Sequence, residues 1–157
     1  MRFVSVSLCL CVFPLLSCGG TGAAAPVPSA APGESGGYTL VYERTVNGNQ
    51  DLYVSPAGGG VERRITEDPA TDGLPRWSRD GSSILFGSDR SGNWQLYSVG
   101  PRGGAPRRLR QNGWREWQLD GSPDGRHIAF LSNKEGAEYL LTAGLGGGDE
   151  RVLVRHG

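Results

Sequence analysis

Gly33-Glu34-Ser35-Gly36-Gly37 has the Gly-x-Ser-x-Gly spacing that can present a nucleophilic serine. That chemistry needs the serine on a sharp turn between a strand and a helix, beside backbone N–H groups that hold an oxyanion. Here the motif sits among Gly, Ala and Pro with no strand-forming run before it, so it reads as a coincidence of composition. His127 and His156 are the only histidines, and neither has a partner at triad or metal-ligand spacing. The oxygen-rich stretches 120–125 and 47–51 lack the alternating ligands and terminal Glu of a calcium loop, and both suit tight hairpin turns. The sequence thus predicts no catalytic residue, no metal site and no cofactor. Aromatic residues are the remaining candidates. Trp77, Phe86 and Tyr97 sit in strand-like runs and are expected in a core. Trp114 and Trp117 flank Arg115 and Glu116 in an irregular stretch, and tryptophan with arginine is a common interface anchor.

The elements that must carry these residues are set by a repeat. Residues 67–110 laid on 111–154 give 13 identities at a fixed step of 44 residues. Chance at this composition would give about three or four, and a period of this length with several strands per unit indicates propeller blades. The middle copy reads as four short strands near 74–78, 83–88, 94–99 and 106–110, separated by Asp80-Gly81, the loop 89–93 and Gly103-Gly104. The first copy, 38–66, holds only the second, third and fourth strands. The third, 111–154, is complete, but Trp114-Arg115-Glu116-Trp117 replaces the Pro-x-Trp lead-in. The fold class expected is therefore all-β, a partial and open β-propeller of about three four-stranded blades with the first incomplete. The charged fourth strands suit outer edges, where like charges discourage sheet-to-sheet pairing.

Composition narrows the function classes. With 16 basic and 16 acidic residues the chain is neutral, so it offers no basic stripe for nucleic acid. Met1-Arg2 and the apolar run 3–16 read as a secretory signal peptide, too short to span a bilayer. Leu15-Leu16-Ser17-Cys18 resembles a bacterial lipobox, which implies a lipoprotein signal peptide over 1–17 and lipidation at Cys18. Acyl chains contribute about 0.8 kcal/mol per buried CH₂, enough for a multiply acylated Cys to hold to a membrane. Cys9, Cys11 and Cys18 are the only cysteines, so the blades are expected to have neither disulfide nor thiol chemistry. Residues 18–37, small and Pro-rich after the Cys, read as a flexible tether. Export to a periplasmic or cell-surface location on a bacterial membrane follows from these features.

Pro75-Arg76-Trp77-Ser78-Arg79-Asp80-Gly81, then Ile84-Leu85-Phe86, then the run from Ser88 to Tyr97, resembles the TolB-type β-propeller repeat. Trp77-Ser78-Arg79-Asp80-Gly81 departs by one residue from that family's Trp-Ser-Pro-Asp-Gly, and the third copy keeps Ser122-Pro123-Asp124-Gly125 without the tryptophan. The resemblance implies that the loops 67–73, 89–93, 111–115 and 133–137 open on one face. Those loops carry Asp89, Arg90, Asn93 and Arg115, which with Trp114 and Trp117 of the irregular stretch are the candidate residues for a protein or peptide partner. Closed propellers use four to eight blades, so three blades imply one of three things: a fragment of a longer propeller, which is preferred, self-association toward a six-bladed ring, or an open arc held by a partner. The function expected is a non-enzymatic, membrane-anchored binding or scaffold module. The alternative is the front propeller of an exported serine-peptidase-type hydrolase.

Overall fold

The computed structural model describes residues 39–156, and the signal-peptide, Cys18 and Gly33–Gly37 readings lie outside them. Three antiparallel sheets follow one another along the chain. The first holds β1 (Thr39–Val46), β2 (Asn49–Pro56) and β3 (Arg63–Arg64), in that order. The second holds β4 (Asp72–Trp77), β5 (Ile84–Ser88), β6 (Gln95–Val99) and β7 (Arg107–Arg108). The third holds β8 (Glu116–Gly121), β9 (His127–Ser132), β10 (Glu138–Gly144) and β11 (Arg151–His156), with a 3₁₀ turn at Lys134–Gly136 before β10. These are three consecutive blades, the first lacking its innermost strand, as the repeat predicts.

The repeated Ser-x-Asp-Gly is a turn locked by its own side chains. Ser78 Oγ donates to Asp80 Oδ1 at 2.7 Å, the Ser82 amide donates to the same oxygen at 3.0 Å, and the Ser83 amide donates to Ser78 Oγ at 2.9 Å. The third blade repeats this with Ser122, Asp124, Arg126 and His127. Gly81 and Gly125 take φ of 68° and 69°, the left-handed turn position that glycine fills without a Cβ penalty.

Alternation then divides each blade into two apolar faces. Ile84, Phe86, Tyr97 and Val99 of the second blade pack with Leu52, Val54 and Ile65 of the first. Leu85, Leu96 and Leu109, on the opposite face, pack with Leu119, Ile128, Phe130, Leu141 and Ala143 of the third. Phe86 is fully buried and Tyr97 nearly so, whereas Trp77 is only half-buried against its cluster.

Glycines let the sheets approach. A Cβ at Gly103 would lie 3.1 Å from the Ile65 carbonyl oxygen, and one at Gly147 would lie 2.7 Å from that of Leu109. These are the same contact one repeat apart.

The inner strands carry a feature that their residue types do not announce. Both β4 and β8 contain a bulge, between Gly73 and Arg76 and between Trp117 and Asp120. Each places a non-glycine residue at positive φ, Leu74 at 55° and Gln118 at 51°. The two positions are 44 residues apart, so the irregular lead-in of the third blade folds with the backbone of the second despite its different residues. Glu43 of β1 holds the first bulge by accepting from the Leu74 amide at 2.6 Å. β4 begins two residues earlier than expected, and the fourth strands β3 and β7 shrink to two residues each.

Candidate binding rim

The loops expected on one face do meet there. The Thr71 amide donates to Asp89 Oδ1 at 2.8 Å, and one repeat later the Arg115 amide donates to Asn133 Oδ1 at 2.8 Å. Asn93 Nδ2 donates to the Gly113 carbonyl at 2.9 Å, and Gln95 Nε2 donates to that of Trp114. Side-chain amides and carboxylates thus add to the backbone bonds from Asp89 to Thr71 and from Glu116 to Trp94, and join loop 89–93 to its neighbours on both sides.

The six candidate residues divide between structure and surface. Arg90 is 15% exposed and directed inward. Its Nη2 donates to both carboxylate oxygens of Asp72, at 2.7 and 2.8 Å, and its Nε donates to Ser88 Oγ at 2.9 Å. The guanidinium also lies 5.1 Å from the Tyr97 ring centre and 5.6 Å from that of Phe86. Asp89 and Asn93 face solvent or its edge but serve the loop contacts above. Trp114 is exposed, on a loop held by its own amide donating to Asn112 Oδ1 at 3.0 Å. Arg115 is exposed over the Trp117 ring, 5.3 Å from its centre, and Trp117 is half-buried on β8 opposite Leu131. Arg115 and Trp117 are thus in contact and Trp114 adjoins Arg115 in the chain; Asn93 reaches the same loop through Gly113, while Asp89 and Arg90, from the same loop as Asn93, bond back to Thr71 and Asp72.

Ionic networks that the sequence reading did not single out support this rim. Arg110 Nε donates to Glu116 Oε1 at 2.8 Å, and Glu116 is almost wholly buried. The same guanidinium bonds Glu150, whose other oxygen accepts from Lys134 at 2.9 Å. Lys134 first and then Arg110 hold the Glu150 carboxyl below the usual range, against desolvation that raises it. Arg64 reaches the buried Asp51 at 2.5 Å. The only available signal was the 44-residue register itself, which aligns Asp72 with Glu116 and Arg64 with Arg108. A cleft of about 450 Å³ opens between Arg64 and Arg90, lined also by Thr66, Asp68 and Arg102 among others.

Neither histidine joins a reactive arrangement. His127 is exposed with Nδ1 3.7 Å from Asp124, and His156 is exposed at the end of β11. Among the described residues no three His, Cys, Asp or Glu side chains gather as a metal site.

Sheets stacked face to face along one chain, with loops gathered on a rim, define a β-propeller of which this chain forms an open sector. The TolB beta propeller domain matches residues 22–156, and the chain belongs to that family. Among solved structures it is similar to a putative TolB from Agrobacterium tumefaciens (24% identity, TM-score 0.69, 74% of this chain and 45% of that one). TolB from Acinetobacter baumannii is similar at 25% identity and TM-score 0.68, over 74% of this chain and 30% of that one. A puromycin-hydrolyzing peptidase from Mycobacterium tuberculosis shares the fold at 24% identity and TM-score 0.56, over 77% of this chain and 20% of its own. The chain thus spans less than half the length of these relatives. No curated protein matches it.

Proposed function

We propose that the chain is a non-enzymatic, membrane-anchored module that binds a protein or peptide at its loop rim, and that it is part of a longer propeller. The observation that carries the reading is the exposed pair Trp114 and Arg115, with Arg115 laid over the half-buried Trp117 ring. It is held on hydrogen-bonded loops and framed by a rigid scaffold, an arrangement that keeps anchors ordered before binding. The mixed polarity of the surrounding loops suits a peptide chain better than an apolar ligand. Anchoring rests on the lipobox-like Leu15-Leu16-Ser17-Cys18 and the tether after it, with a periplasmic or cell-surface location following from them.

A photo-crosslinking residue at position 114 in cells should yield a discrete adduct that Arg115→Ala weakens, while the same probe at Arg126, on the opposite turn, yields none. Equal labelling at both positions would remove the case for a rim site. Cys18→Ser should release the protein from membranes, and persistent membrane association would remove the anchor. The second reading, the propeller portion of an exported hydrolase, is favoured only by the fold shared with the peptidase. Coding sequence beyond Gly157 containing further repeats and then a strand-borne Gly-x-Ser-x-Gly would select it.

A further inference from the structure

The network around Glu150 and the cleft around Arg90 occupy the same place in successive junctions. In the second junction, Glu150 stands in the loop that leads into β11 and reaches between two cations. It accepts from Lys134 Nζ at 2.9 Å and from the Arg110 guanidinium. Moved back by 44 residues, Lys134 becomes Arg90, Arg110 becomes Thr66 and Glu150 becomes Pro106. All three of these line the cleft of about 450 Å³ in the first junction. Pro106 carries no charge, so the first junction has no carboxylate at the position where the second has one.

The cations remain. Arg90 engages Asp72 through Nη2, while its Nη1 stands 4.0 Å from Asp68 Oδ2, beyond hydrogen-bonding distance. Arg64 gives Nη2 to Asp51 and Nε to the Thr66 carbonyl, with 40% of its side chain still exposed. Arg102, where the second junction has Gly146, is exposed and among the described residues pairs with no carboxylate. Two acids also line the cleft: Asp68, whose Oδ1 accepts from the Ala70 amide at 2.9 Å, and the exposed Glu67. Both walls come from adjoining blades inside the chain, so the lining is independent of what lies beyond either end.

We propose that this cleft binds an acidic side chain, Asp or Glu, carried on an extended segment of a partner protein, in the place that Glu150 fills one junction later. Guanidinium donors and a carboxylate form charge-assisted bonds of the stronger kind. The source is a chain segment because Glu150 itself arrives on the segment entering β11, and because a cleft of this volume holds far more than one carboxylate. The subsite lies in a different junction from Trp114 and Arg115, and is a second contact beyond them.

Fluorescence anisotropy of the full chain in detergent tests this. The probes are a labelled peptide of alternating glycine and glutamate, its glutamine counterpart, and succinate as competitor. The glutamate peptide should bind, the glutamine peptide should not, and equimolar succinate should not displace the first. Pro106→Glu supplies the carboxylate from within and should abolish binding. Arg102→Ala should weaken it about threefold, and Arg126→Ala, on the opposite turn, should leave it unchanged. Circular dichroism separates loss of the site from loss of the fold; if Pro106→Glu misfolds, Arg102→Ala decides, and unchanged affinity there overturns the proposal. So would a glutamate peptide that does not bind or binds no better than its counterpart, binding that survives Pro106→Glu, or displacement by succinate. Loss of the cross-link at Trp114 with this binding intact would remove the rim reading alone, and the reverse would remove this one alone.

Discussion

Arg90 offers the sharpest test of the physics of the rim. Its partner Asp72 is fully buried, and both carboxylate oxygens accept from the same guanidinium nitrogen. Arg90→Leu leaves that carboxylate buried without its cation, and removal of one partner from a buried pair costs about 3–5 kcal/mol. Asp72→Asn leaves the cation instead, 15% exposed and able to recover some water, so its cost should fall at the low end, about 3 kcal/mol. Arg90→Lys keeps the charge but loses the planar group over Tyr97 and Phe86, a loss of about 1–2 kcal/mol at a desolvated site. Combining Arg90→Leu with Asp72→Asn removes both charges and should cost no more than about 3 kcal/mol. The order expected is therefore Arg90→Leu worst, Asp72→Asn next, then Arg90→Lys, with a coupling of at least about 3 kcal/mol between the two positions. Urea unfolding of the full chain followed by tryptophan fluorescence reads this directly, because all four tryptophans lie in the second and third blades. Additivity of the two single changes within about 0.5 kcal/mol would refute the argument, since it would mean that the pair does not interact.

The junction glycine gives a second prediction: Gly147→Ala, with its Cβ 2.7 Å from the Leu109 carbonyl oxygen, should lower Tm at least twice as far as Gly48→Ala, which meets nothing. Calorimetry of the two variants checks it. Acid should loosen the blade turns. Hydrogen bonds from Ser78 and then Ser82 hold the Asp80 carboxyl below its ordinary value, and Ser122 does the same for Asp124. A lowered folded value means that their contribution is complete above about pH 4 and is lost as the pH falls further. Asp80→Asn should flatten the fall in Tm below pH 4, as measured by thermal melts across pH 2–6. At the alkaline end, burial first and the hydrogen bond to Glu62 second push the Tyr42 phenol up to about 12. Its share of stability is full below pH 10 and is lost as the pH rises through 12. Absorbance at 295 nm should show one late tyrosine that Tyr42→Phe removes.

The repeat made most of the architecture legible, because the pattern that spaces the turns also assigns the faces. Asp80-Gly81 and Asp124-Gly125 marked the hairpins by their chemistry, and Ile84-Leu85-Phe86 marked a strand buried on both sides. The bulges at Leu74 and Gln118 were invisible, since neither residue type advertises a positive φ; the backbone is set there by tertiary contacts such as that from Glu43. The rim loops were placed correctly as a group, but the direction of individual side chains was not readable. Arg90 looks in sequence like a loop cation free to bind a partner. Its inward course depends on Asp72, 18 residues away, and on two aromatic rings that only packing brings beneath it.

What the 44-residue period preserves is a physical requirement more than a set of residues. In every blade a guanidinium lies over an aromatic ring, but it comes from a different part of the fold each time. Arg44 of β1 lies 4.2 Å from the Tyr53 ring centre, Arg90 of a loop covers Tyr97 and Phe86, and Arg110, just after β7 of the preceding blade, lies 4.8 Å from that of Phe130. In the third blade Lys134 occupies the position of Arg90, and an ammonium group has no planar face to lay on a ring. Glu116 occupies the position of Asp72 and is one methylene longer. It meets Arg110 from the other side of the junction, and Lys134 turns outward to Glu150. The substitution of one cation is thus accommodated by a change at its partner and by a cation borrowed from the neighbouring blade. The junction between the second and third blades is consequently ionic as well as apolar, and neither blade of that pair retains the same surroundings without the other.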